Sequence, residues 1–239
     1  MAFQGKPVIA LVPARGGSKG IARKNLASLG GRPLVAYAIQ AGQGAGVVDR
    51  VVVTSEDAEI RAVAARLGAD VIDRPAALAT DDAGSDGVIA QAIDALGLPG
   101  DAWIVLLQPT SPLRTADHID AVFARIDAAG AGGAISVLEP AHHPMKAYVV
   151  DGDGHLTGMV GPDAPYRPRQ SLPVAYLPNG ALYVFMVNGF LKDGRIPSER
   201  MIPFVMTAED SLDIDTPADI ARAEAALAQR PQERQEKAS

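Results

Sequence analysis

The stretch Val8-Ile9-Ala10-Leu11-Val12-Pro13-Ala14-Arg15-Gly16-Gly17-Ser18-Lys19-Gly20-Ile21-Ala22-Arg23-Lys24-Asn25 decides the fold. Val8 to Val12 is an unbroken apolar run, which reads as a strand covered on both faces and stopped at Pro13. The loop that follows carries Arg15, Lys19, Arg23 and Lys24 among Gly16, Gly17 and Gly20. Glycines let backbone amides approach an anion closely, while Arg15 offers a planar fork and Lys24 a compact point charge. A solvated basic loop is the plainer reading. The clustering of cations around three glycines favours phosphate, bound beyond the carboxyl end of a strand as open α/β sheets bind their ligands.

The rest of the chain repeats that rhythm. Pro33 can open a helix carrying Leu34, Tyr37, Ala38 and Ala41 on one side. Val51 to Thr54 and Val71-Ile72 read as strands, with Ile60, Val63, Ala64 and Leu67 at helical spacing between them and Gly68 as the stop. A helix is expected over Ser85 to Leu96, and Trp103 to Leu107 is the most apolar strand candidate. The Ile119, Val122, Phe123, Ile126 pattern makes a further helix and Ala134 to Leu138 a further strand. Strands resume at Ala181 to Val187 and Pro203 to Met206, and a helix runs from Pro217 to about Ala228. The alternation predicts a three-layer α/β domain: a mostly parallel central sheet with helices on both faces.

One segment breaks the pattern. From Glu139 to Pro178 the sequence turns to Pro, Gly, Asp, His and Arg, with Tyr148-Val149-Val150 leading into the turn-like Asp151-Gly152-Asp153-Gly154. It reads as an inserted arm containing a hairpin, too poor in periodic apolar residues to form a core alone. The expected organisation is a single domain over residues 1–229, with 139–178 as the arm and 230–239 as a polar, flexible tail.

Composition narrows the classes of function. With 22 Lys and Arg against 28 Asp and Glu, the net charge is −6, which disfavours non-specific nucleic-acid binding, so any anionic ligand must meet a local cationic pocket. The absence of Cys excludes disulfides and thiolate zinc sites, and it fits a reducing compartment. No stretch approaches the roughly 18 apolar residues of a membrane span. The short apolar run at the start is followed at once by Pro, Arg and Gly, so export is not expected and a cytoplasmic location is. Neither a Walker A loop, a G-x-G-x-x-G fingerprint nor a G-x-S-x-G elbow occurs.

Several further residues carry chemistry. In Ser211-Leu212-Asp213-Ile214-Asp215-Thr216-Pro217, Thr216 suits an N-cap, Pro217 the first helical position and Asp219 the acidic third position. That leaves Asp213 and Asp215, which in an extended segment point the same way and can hold a divalent cation that also touches phosphate; a structural role is the alternative. Gln108 and Ser111 sit between Pro109 and Pro112 at the end of the most apolar strand, a stiff position suited to base or sugar recognition. Arg114 either reaches the site or faces the next helix. Asp81, Asp82, Ser85 and Asp86 form a polar turn, in which Ser85 can meet a ligand and Asp82 can cap the helix. Lys146, Arg167 and Arg169 on the arm can receive a carboxylate or form a basic rim. His142 and His143 are adjacent, without the spacing of a helical metal site.

Six segments in order closely resemble the acylneuraminate cytidylyltransferases, also called CMP-sialic acid synthetases. They are Ala14 to Gly20 with Lys24-Asn25, Leu107 to Arg114, His142 to Lys146, Arg167 to Gln170, Pro178 to Ala181, and Ser211 to Asp215. The resemblance covers about residues 8 to 228. It implies a nucleotide-diphospho-sugar transferase-like fold and transfer of CMP from CTP to the anomeric hydroxyl of a nine-carbon nonulosonic acid, with direct attack on the α-phosphorus and release of pyrophosphate. It also implies Mg2+ held by Asp213 and Asp215, and a homodimer whose projecting arm helps complete the partner's site.

Under that resemblance Arg15 and Lys24 hold the CTP phosphates, Lys19 lines the same loop, and Asn25, Ser85 and Gln108 surround the nucleotide. Gln108, Ser111, Asn179, Lys146, Arg167 and Arg169 fall to the sugar. Many relatives have Pro where this chain has Ala22, which loosens the loop without removing a chemical group. The His142 to Lys146 segment looks more like the sialic and legionaminic branches than the pseudaminic one, and the Kdo-activating relatives differ in the first loop. A different sugar nucleotidylyltransferase and a non-catalytic sugar-nucleotide binding module are the remaining alternatives.

Overall fold

The computed structural model describes residues 3–80 and 83–236. Strand β1 (Val8–Pro13) leads through the short pair β2 (Ser28–Leu29) and β3 (Arg32–Pro33) into α1 (Leu34–Gly44). Then come β4 (Arg50–Ser55), α2 (Ala58–Arg66), β5 (Asp70–Asp73), α3 (Ser85–Leu96), β6 (Trp103–Leu106), α4 (Ala116–Ala129) and β7 (Gly133–Leu138). The arm holds β8 (Tyr148–Val150) and β9 (Leu156–Gly158), after which β10 (Leu177–Met186), α5 (Val187–Asp193), β11 (Met201–Val205) and α6 (Pro217–Glu236) complete the chain.

Seven strands form one sheet in the order β11-β7-β10-β6-β1-β4-β5. All neighbours are parallel except β10, which runs antiparallel to both β6 and β7. The expected mostly parallel sheet is therefore present, and the continuous apolar strands explain its two covered faces. Val8, Ala10 and Val12 pack with Val35 and Ile39 of α1, Ile60 of α2 and Phe123 of α4. Their neighbours Ile9 and Leu11 point the other way, onto Ile89 and Ile93 of α3 and Phe190 of α5. At about 1.5–3 kcal/mol for each fully buried large aliphatic or Phe side chain, these two layers supply most of the drive to fold.

The local signals act as their chemistry dictates. Helix α3 begins at Ser85 and ends at Leu96, capped by Gly97, whose φ of 57° closes the last turn. Asp81 and Asp82 lie outside the described residues. The arm's hairpin forms where expected: β8 pairs antiparallel with β9, and the Asp151 carboxylate accepts the amides of Asp153 and His155 across the turn. Two elements differ from the sequence reading. Helix α5 was not expected, and α6 continues through Glu236, so the expected tail from Arg230 is helical to that point. Arg230 is the anchor, donating to the Leu113 carbonyl at 2.7 Å and pairing with Asp210. Among the described residues no helix is long and apolar enough to cross a membrane.

Candidate active site

The Gly-rich loop after β1 is held from behind by acids at the start of α2. The Gly16 amide donates to Glu56 at 2.7 Å, and a Cβ on Gly16 would lie 2.5 Å from Asp57 Oδ2, which is why glycine stands there. Arg23 adopts a left-handed conformation (φ 52°) and pairs with Asp57 at 2.7 Å and Glu59 at 2.9 Å. Asp57 also caps α2 by accepting the amides of Glu59 and Ile60. Asn25 donates to the Arg15 carbonyl at 2.8 Å, bracing the loop from inside.

The loop meets the chain's other end. Lys24 Nζ donates to the Ile214 carbonyl at 2.8 Å and to Asp215 Oδ1 at 3.0 Å, and Gly20 abuts the Asp215 carbonyl so closely that any side chain would collide with it. The Ile214 amide in turn donates to the Thr110 carbonyl at 2.8 Å, tying this segment to the loop after β6. Burial raises the pKa of Asp213 above the usual carboxylate range; a hydrogen bond from Thr110 opposes that, and the Asp215 charge adds to it. Asp219 is pulled down by accepting the Thr216 hydroxyl and amide, so the start of α6 is fixed independently of Asp213 and Asp215.

Among the described residues no group of three or more His, Cys, Asp or Glu side chains is gathered for a metal. Mg2+ is commonly held by one or two carboxylates, with substrate phosphates and waters completing its shell. Asp213 and Asp215, close enough that the Asp215 charge helps raise the Asp213 pKa and flanked by the phosphate-type loop, fit that requirement.

A cleft of about 300 Å3 opens at the carboxyl ends of β1 and β6. Of the expected nucleotide residues, Arg15, Lys24, Asn25, Ser85 and Gln108 all line it. Lys19 lies on the same loop outside the lining. Sequence reasoning missed Arg74, Leu78, Thr80 and Val88, which complete the wall. Arg74 is buried, donates to the Thr54 carbonyl, and has its pKa lowered by burial, with Glu56 acting against the shift. It follows β5 as Arg15 follows β1, and that strand-end position was the available signal.

Other expected residues lie elsewhere. Ser111 is fully buried, and Asn179, 7% exposed, is an internal strut: its Oδ1 accepts from Ser136 at 2.5 Å and the Ala181 amide at 3.1 Å, and its Nδ2 donates to Ser211 at 2.8 Å. Arg114 is buried behind Gln108. On the arm, Arg167 donates to the Ser171 carbonyl at 2.8 Å and Arg169 to the Pro140 carbonyl at 3.3 Å. Arg169 borders a separate hollow of about 260 Å3 with Glu139, His143 and Leu172, and neither it nor Lys146 or Arg167 lines the first cleft of the same chain. Around these cations Val150, Leu156, Met159, Val160, Tyr166 and Val174 are each more than half exposed.

A cationic Gly-rich loop and a carboxylate pair at the ligand end of this sheet define a nucleotidyltransferase-type α/β domain. CMP:2-keto-3-deoxy-manno-octonic acid synthetase, solved with CTP, shares the fold, with a TM-score of 0.68 at 16% identity over 94% of this chain and all of that one. The chain belongs to the cytidylyltransferase family, whose model matches residues 9–150. It is 32% identical over 87% of its length to an N-acylneuraminate cytidylyltransferase of Streptococcus agalactiae, and spans 50% of that relative. It is 31% identical to a CMP-N,N'-diacetyllegionaminic acid synthase of Legionella pneumophila, over 91% of this chain and 94% of the relative.

Proposed function

We propose that this protein transfers CMP from CTP to the anomeric hydroxyl of a nonulosonic, sialic-type acid and releases pyrophosphate. The observation that carries the reading is the junction of the Gly-rich loop with the Asp213–Asp215 segment through Lys24. Asp213 and Asp215 do not line the cleft themselves, but Lys24, which does, ties the triphosphate cradle to this pair of hard oxygen ligands. Arg15, Lys24 and the loop amides bind and orient the triphosphate; Ser85, Asn25 and Arg74 enclose the nucleoside end, and Gln108 stands on the side of the incoming sugar. The sugar oxygen bonds to the α-phosphorus as the bond to pyrophosphate breaks, and the hydroxyl proton is released. Fixed cations suffice for such a displacement, without a covalent enzyme intermediate. Mg2+ held by Asp213 and Asp215 would neutralise phosphate charge as it develops.

The active form is a homodimer in which the arm supplies Lys146 and Arg169 to the partner's cleft. Two features support this: the arm cations stand apart from the cleft of their own chain, and the surrounding apolar side chains are exposed on a hairpin without a core. The cytoplasm is the location we assign, since CTP is held there and a chain without Cys needs no oxidising compartment.

A legionaminic-type acceptor is the second reading, resting on 31% identity to the Legionella relative over 94% of its length. CTP-dependent pyrophosphate release measured across sialic, legionaminic, pseudaminic and Kdo acceptors tests both. Release with the first or second acceptor is expected, and none with any would overturn the function.

A further inference from the structure

Behind the cleft wall lies a cation that the reading above does not use. Arg114 is 2% exposed, and among the described residues it has no carboxylate partner. Its Nη1 donates to two carbonyls, Gln108 at 3.1 Å and Ala181 at 3.0 Å, while Nε and Nη2 have no hydrogen-bond partner among the described residues. Burial alone pulls the guanidinium down to about 9. An unpaired buried charge is costly to a fold, and two hydrogen bonds to carbonyls leave most of the donors of this guanidinium unused. Stability is therefore a poor account of why an arginine stands here.

The two carbonyls it joins belong to facing elements at the cleft. Gln108 lines the cleft at the end of β6, and Ala181 follows Gly180 in β10, where φ is 76° and a Cβ would lie 2.6 Å from Gln108 Oε1. The Gln108 side chain thus rests directly on the Gly180 backbone. Between Gln108 and Arg114 the chain coils back through turns from the Gln108 carbonyl to the Ser111 amide and from the Ser111 carbonyl to the Arg114 amide. One guanidinium fixes both sides of that contact.

We propose that Arg114 is a positioning residue that sets the seat of Gln108 on Gly180, and through it the pose of the incoming acceptor. The inference rests on the cytidylyltransferase reading, because it concerns the second substrate of that reaction. CTP is gripped chiefly by Arg15 and Lys24 on a different loop, so the effect falls on the acceptor.

The test is a double-mutant cycle between Arg114→Met and Gln108→Ala, read in kinetics and in thermal melts. Arg114→Met leaves the buried Ala181 carbonyl without its donor and should melt somewhat lower while remaining folded; it should keep its CTP affinity by calorimetry, yet lose about tenfold or more in kcat/KM for the acceptor. In the Gln108→Ala background the same change should cost little more, since both act through one contact. Arg114→Lys, which keeps the charge but not the fork, should fall between; it also decides the matter should Arg114→Met not fold. Unchanged acceptor kinetics in a folded Arg114 variant, or losses that add across the cycle, would overturn the inference alone. An unaltered protein inactive with every acceptor would instead fail the cytidylyltransferase reading, and this inference with it.

Discussion

Lys24 reaches across 190 residues of sequence to donate to the Ile214 carbonyl at 2.8 Å, and the same ammonium lies 3.0 Å from Asp215. One side chain thereby holds the phosphate-type loop and the carboxylate pair at a fixed separation. The Asp215 side chain is 71% exposed, so the carboxylate is on hand for a ligand and contributes little to packing.

Asp215→Ala is accordingly expected to lose about a hundredfold or more in kcat, the scale of losing a metal's stabilisation of phosphate charge. Its melting temperature should stay nearly unchanged, because Asp219 still accepts from Thr216 and fixes the start of α6. Magnesium titrations of turnover alongside melts check this. Near-normal turnover in folded protein removes the metal role.

Arg15→Ala deletes a cationic fork from the cleft lining. A charge-assisted hydrogen bond contributes about 1.5–3 kcal/mol, so CTP affinity should weaken about 10- to 150-fold. Calorimetry with CTP gives the answer directly, and an unchanged affinity puts Arg15 outside the site.

Gly20→Ala drives a methyl into the Asp215 carbonyl and must push the loop away from the carboxylates. Overpacking of this kind costs about 1–3 kcal/mol, and here it should appear as lower kcat/KM as well as a lower melting temperature. Gly132, whose added Cβ would meet nothing within 4 Å, supplies the control: Gly132→Ala should leave kinetics as they are.

His118 closes the capping box of α4, its Nδ1 accepting the Thr115 amide at 3.2 Å, and burial lowers its pKa. The folded state thus favours the neutral ring, while the unfolded chain takes up a proton near pH 6.5. Its contribution to stability is complete above that pH and declines as pH falls toward the depressed folded value. Melts at pH 7.5 and 5.5 should show a steeper acid loss for the unaltered protein than for His118→Gln. Equal slopes would show that His118 is not the group responsible.

Complementation distinguishes an arm acting on the partner from one acting on its own chain. Arg15→Ala and Arg169→Ala proteins, each folded and nearly inactive, are mixed under conditions of subunit exchange. If one site draws Arg15 and Arg169 from different chains, a heterodimer gathers both lesions in one site, leaves the other intact and recovers about half the normal rate. A verified heterodimer as inactive as its parents rules out the arm acting in trans.

The sheet was legible because its strands are continuous apolar runs; Val8 to Val12 and Trp103 to Leu107 admit little else. That Arg15, Lys24, Asn25, Ser85 and Gln108 would come together in one cleft was legible because glycines, prolines and cations sit where strands end. Arg74 was missed because a single Arg before Pro75 resembles any turn until β5 is placed beside β4. The interior roles of Asn179 and Arg114 depend on partners 43 and 67 residues away, Ser136 and Ala181, and no local pattern encodes such pairings. Helix α6 outran its apolar periodicity because Arg230 ties it down by polar contacts.

Because β10 runs against β6 and β7, the chain leaves β7 and re-enters the sheet at the same end, with Leu138 paired to Leu177. Both roots of the arm therefore stand at the mouth of the cleft. A segment attached in this way is a cassette: it can be lengthened, shortened or exchanged without shifting a single strand register. If the arm reads the acceptor as proposed, the sheet can be kept while that choice is revised, and grafting residues 139–176 between relatives is the way to test whether it moves.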